Sequence, residues 1–129
     1  MMVGEKREAM EIYGMEARHL FPGPLHGIFV AFRTRILLLG DDIEEQLAKT
    51  QVAYRAERQF AWLSPITKTK ALLVLDLWEQ HDAPILRNVI RFRDDKVTHQ
   101  VEVRSTADIH VVGDLGWFEE AVSWGRKVR

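Results

Sequence analysis

The sequence predicts an α+β two-layer domain: a mainly antiparallel sheet of about five strands, with N-terminal and C-terminal helices packed on it. Three observations lead there. Apolar residues recur every three or four positions from Leu25 to Leu39, which draws one stripe along a helix. Between Gln51 and Val103, short runs either alternate or are apolar throughout, and turn residues separate them. After Asp114 the helical spacing returns at Leu115, Phe118, Ala121 and Val122.

A chain of 129 residues fits one domain and should bury roughly two thirds of its unfolded surface. The expected division is an N-terminal extension over residues 1–24 with a loose helical pattern, then a single domain over 25–129. Pro22, Gly23 and Pro24 mark the break. No apolar run approaches the ~20 residues that span a bilayer. The first residues lack the apolar core of a signal peptide. A cytoplasmic location without membrane contact is therefore the default. Cysteine is absent, which excludes disulfides and thiolate chemistry. A formal net charge of -1 weighs against a dedicated nucleic-acid binder, although a basic face offset elsewhere leaves that class open.

In the first helix, Leu25, Ile28, Phe29, Phe32, Ile36 and Leu39 form the stripe and Gly40 supplies the stop. Asp41 and Glu44 have capping-box spacing, so a short second helix is expected, anchored by Ile43 and Leu47 and ending near Lys49. The cluster Asp41, Asp42, Glu44 and Glu45 is explained by the dipole of that helix rather than by metal or acid chemistry. Strands follow at Gln51–Arg55 and Arg58–Leu63, the latter ended by Ser64-Pro65. Ala71–Trp78 is apolar on both faces and belongs at the centre. Its exception, Asp76, should lie near solvent or pair with an arginine. His81–Pro84 is a connection. Arg87, Arg91 and Arg93 make the run from Leu86 an edge strand. Val97, His99, Val101 and Val103 share one face of the next. Ser105 or Asp108 suits a cap, with Asp114 the preferred N-cap of the closing helix.

Motifs for nucleotide, zinc or nucleophilic chemistry are missing, so no catalytic residue, metal or cofactor is expected. The binding candidates are Arg55, Arg58, Trp62, Lys70, Arg91 and His99. Cationic heads contact phosphate or carboxylate, and aromatic faces stack. Strand alternation would place Arg58 with Phe60 and Trp62. The plainer account has arginine stems covering the sheet and their heads reaching Asp76, Glu57 or Asp82. His99, among three valines, reads as a core histidine, with ligand contact or proton transfer as the sharper alternative. The favoured function is a noncatalytic binding or interaction module. One alternative is anion or nucleic-acid binding through a basic-aromatic sheet face. Another is a small enzyme whose pocket joins His99 to Asp76 or an arginine. The partner is not specified; a protein partner stays open, as does self-association through Trp78, Trp117 or Trp124.

The segments KTQVAYRAERQFAWLSP, KALLVLDL and VTHQVEVRS, in that order, resemble the domain of unknown function family DUF5655 over about residues 25–125. Lys49, Thr50, Arg58, Phe60, Ala61 and Trp62 fit its central pattern. His99, Val101, Arg104, Ser105 and Asp108 fit a second, and Leu115, Gly116, Trp117, Glu120 and Ala121 a third. Gln100 stands where members carry a second histidine, and Val122 at an often aromatic position. The resemblance implies no established activity, substrate or cofactor. Fusion of some members to nuclease-like domains adds slight weight to nucleic-acid or effector binding.

Overall fold

The computed structural model describes residues 19–129. Residues 1–18 lie outside them, and with them most of the expected N-terminal extension. Helix α1 spans Pro24–Leu37. Gly23, at φ 57, turns the chain into it, and Pro24 suits a first turn whose N–H has no acceptor. The expected stripe is buried at Leu25, Ile28, Phe29, Phe32 and Ile36, while Phe21 stacks on Phe29 at 5.0 Å.

Six strands follow: β1 Glu44–Leu47, β2 Val52–Arg55, β3 Gln59–Pro65, β4 Ala71–Leu77, β5 Leu86–Arg93 and β6 Lys96–Val103. They form one antiparallel sheet in the order β1-β2-β3-β4-β6-β5. Two helices close the chain, α2 over Thr106–Asp114 and α3 over Trp117–Arg126. The fold is α+β as expected, with β4 inside the sheet and β5 at its edge.

The sixth strand is β1, where a short helix was expected. Its residues pair with β2 from Glu44↔Arg55 to Leu47↔Val52. Strand pairing points Glu45 into the layer beneath α1. There the Arg33 Nε donates to both carboxylate oxygens, at 3.0 and 2.8 Å, and the Tyr54 hydroxyl donates to one at 2.8 Å. Burial, then the Glu45 charge, pushes the Tyr54 hydroxyl well above the usual phenol range, so it stays a donor. These tertiary bonds override the local capping signal. No helix begins at the acidic cluster, so a helix dipole does not explain it. For two of its four members ion pairs do: Glu45 holds Arg33, and Asp42 takes Arg126 bidentately at 2.7 and 2.8 Å.

The closing helix also differs. The expected helix is α3, which starts at Trp117 rather than directly after Asp114. A separate helix, α2, precedes it from Thr106, where Ser105, one of the two expected caps, accepts the Asp108 N–H and Asp108 accepts the Arg104 N–H in return. Asp114 therefore ends α2 rather than capping a helix. Gly116, at φ 83, makes the turn that separates α2 from α3. Helix α3 lies across β3 and β4, and α2 packs on α1. Gly125 lets α3 approach Phe60: a Cβ there would stand 3.1 Å from the Phe60 Cβ and closer to its ring. Gly125→Ala should therefore cost about 1–3 kcal/mol of stability, read as a lower denaturation midpoint. An unchanged midpoint would contradict this packing.

The strand pleat decides what each face carries. Leu73, Leu75 and Leu77 of β4 join the core beneath the helices, whereas Val74 and Asp76 point the other way. Register puts His99 opposite Leu75, and Thr98 opposite Asp76. His99 and Asp76 thus sit on opposite faces and cannot share a pocket. Asp76 is buried, not solvent-exposed, and its partner is a hydroxyl rather than an arginine: Thr98 Oγ1 donates to it at 2.5 Å. Burial raises the Asp76 pKa against the opposing pull of Thr98, Lys96, Arg58 and Arg93.

Candidate functional site

The six binding candidates do not converge. Arg55 bonds the Glu57 carbonyl at 3.2 Å, and Lys70 pairs with Glu102 at 3.3 Å. Trp62 is half-buried between Ala53 and Val74, its register partners on β2 and β4. Arg91 lies exposed on the edge strand and reaches the Asp94 carbonyl at 3.4 Å. His99 is buried on the helix-facing side. Lys70 shares Glu102 with Arg104, whereas Arg58 stands in a group of cationic and aromatic side chains. It precedes β3, so alternation does not place it with Phe60 and Trp62.

The Arg58 guanidinium lies 3.4 Å from the centre of the Trp124 ring and 5.5 Å from that of Trp78, and its Nε donates to the Trp124 carbonyl at 2.9 Å. Burial and then the nearby Arg93 charge lower its pKa from the usual arginine value. The Trp124 indole N–H donates to the Asp95 carbonyl in the β5–β6 turn, which brings that turn against α3. There Lys96 Nζ stands 5.1 Å from the Phe92 ring and 5.7 Å from Trp124. Arg129 lies over Trp78 at 5.5 Å. One corner of the sheet therefore gathers Arg58, Arg93, Lys96 and Arg129 around Trp78, Phe92 and Trp124. Arg93 and Arg129 are paired with the exposed carboxylates of Asp95 and Glu79. Lys96 has no carboxylate within ion-pair distance among the described residues, and Phe92 is 61% exposed.

A second cluster adjoins this corner through Trp78. Glu120, on α3, accepts the backbone N–H of Trp78 at 3.0 Å and of Glu79 at 3.2 Å with one oxygen. Its other oxygen is 2.6 Å from His81 Nε2. The His81 ring is 5.7 Å from those of His99 and Trp117. In the sequence His81 belongs to a connection, 39 residues from Glu120, and nothing beside it points to that partner. The available signal was the three-residue spacing of Trp117 and Glu120, which puts both on one helix face. Among the described residues, no group of three metal-ligating side chains is suited to an ion.

The tryptophans offered for self-association are mostly consumed by packing. Trp117 and Trp124 are buried, and the Trp78 indole N–H is used by the Ser123 hydroxyl at 3.0 Å. No described helix is long and apolar enough to cross a membrane.

No curated protein matches the chain, and no solved structure matches it. A family profile does, over residues 21–121, from Phe21 ahead of α1 to Ala121 within α3. That span takes in all six strands, His81 and Glu120, and it covers all but the last few residues of the resemblance expected over about residues 25–125. The chain belongs to the domain of unknown function family DUF5655.

Proposed function

We propose that this domain is a noncatalytic binding module that holds an anionic ligand at the corner formed by Arg58, Arg93, Lys96 and Arg129. The observation that carries this reading is the Lys96 ammonium, over an exposed Phe92 ring and with no carboxylate within ion-pair distance among the described residues, the buried Asp76 carboxyl acting on it from farther off. A phosphate or carboxylate there gains a charge-assisted bond, and a planar group attached to it meets an aromatic face. The overall charge of -1 does not oppose this, because binding answers to the local field. Arg58 serves as support rather than as a contact, since Trp124 occupies both its face and one of its N–H groups.

A proton-transfer role for His99 has less support, because both of its ring nitrogens already have partners. The test uses a fluorescent single-stranded oligonucleotide at low salt. Lys96→Ala combined with Arg93→Ala should weaken binding by about tenfold or more and flatten the salt slope by roughly 1.4. Absence of binding by the native chain, or affinity untouched by the double substitution, would overturn the reading.

A further inference from the structure

The connection between β4 and β5 makes no ladder bonds over residues 78–85, yet, besides the Trp78 indole bond to Ser123 and the Glu79 pair with Arg129, it is held at four points. Three are the Glu120 contacts to the Trp78 and Glu79 N–H groups and to the His81 ring. The fourth is the His81 N–H, which donates to His99 Nε2 at 3.0 Å. That bond fixes the state of His99. Its Nδ1 is 3.0 Å from the Val97 carbonyl, which only accepts, so Nδ1 carries the hydrogen. Nε2 is then the lone-pair nitrogen of a neutral imidazole, as the His81 N–H requires.

We propose that His99 is a pH-sensitive clasp on the β4–β5 connection, and that a proton on its Nε2 loosens His81 and, with it, Trp78 of the anion-binding corner. The regulatory part rests on the corner reading above. A proton entering the Nε2 lone pair makes an imidazolium whose new N–H points at the N–H of His81. Two donors then face each other at hydrogen-bond distance with no acceptor between them. The groups around His99 give the new charge little relief. Leu75 of β4 and Val89 of β5 are its apolar register neighbours, and Trp117 of α3 packs at 5.4 Å. His81 is the titratable neighbour on the connection, and Glu120 lies behind it, already engaged. Burial lowers the His99 pKa from the ordinary imidazole value, with His81 adding to the effect and Val97 and Glu120 opposing it.

The direction of the effect follows by linkage. The opened connection exposes an ordinary imidazole, whereas the closed one has a depressed pKa. Closure is therefore at full strength above pH about 6.5 and is lost as pH falls from there through the depressed value. Within that window the opening constant should rise by up to about tenfold per pH unit.

Amide hydrogen exchange followed by NMR, with rates corrected for intrinsic chemistry, reads this without any ligand. From pH about 7 to about 5, the opening constant at His81 and Trp78 should rise while that of Val74 in β4 stays level. His99→Gln, which offers a donor and an acceptor without a titrating charge, should flatten the His81 response. A pH-independent opening constant at His81, or an equal rise in the variant, would overturn the clasp. If the variant fails to fold, imidazole 15N shifts of the native chain decide: Nδ1–H neutral and charging only below the ordinary range supports the clasp, while a normal titration refutes it. Failure of the corner reading appears separately, as an oligonucleotide affinity indifferent to Lys96 and Arg93.

Discussion

Glu45→Ala is expected to cost about 3–5 kcal/mol, because it leaves the Arg33 guanidinium buried without its counter-charge. The Glu45 side chain is 4% exposed and that of Arg33 is 15% exposed, so water replaces little of what is lost. The same substitution also takes the acceptor from the Tyr54 hydroxyl. Among the described residues even the intact network is incomplete, since Arg33 Nη2 is buried and finds no partner there. The triple variant Arg33→Met, Glu45→Leu, Tyr54→Phe removes every polar group at once and should recover native stability or exceed it. Chemical denaturation of both variants checks this. A single substitution costing under about 1 kcal/mol, or a triple variant worse than the single one, would show that the pair is solvated.

Phe32→Ala should cost a similar amount, about 3–5 kcal/mol. Phe32 is fully buried and makes edge contacts at 5.3 Å to Tyr54 on one side and Phe118 on the other. It therefore ties α1 to β2 and to α3. Phe32→Leu keeps part of the volume and should lose less. A denaturation midpoint for the alanine variant within error of the native one would mean that these rings do not pack as described.

Burial patterns that belong to a single segment were legible in the sequence. Ala71–Leu77 is apolar on both faces and is the central strand; Val97, Val101 and Val103 share a face and are buried together. Features that depend on distant partners were not. Glu44–Leu47 carries a capping signal, yet its strand state is fixed by Tyr54 and by Arg33 of α1. Gly116 was read inside one helical stripe because the spacing of Leu115 and Phe118 runs across it. Arg58 was named for its nearness to Phe60 and Trp62, whereas its ring partners are Trp78 and Trp124, one of them on α3. Nothing in the local sequence of His81 could have named Glu120.

The strand order has a consequence for how the chain reaches this state. The chain makes β5 before β6, yet β6 is the strand that pairs with β4. The sheet therefore cannot grow by adding each strand as it emerges. Strands β1 to β4 form a meander of near neighbours, and β5 with β6 forms a hairpin around Asp94 and Asp95. The two pieces meet along seven residue pairs, from Ala71↔Val103 to Leu77↔Val97, the one ladder in the sheet not closed by a direct connection. Closing it brings together residues distant in sequence, so loop entropy is lost before contacts compensate. That seam is expected to set the pace of folding, so core substitutions at Leu75 or Val101 should slow refolding, read by stopped-flow fluorescence, more than equally destabilising ones in β1.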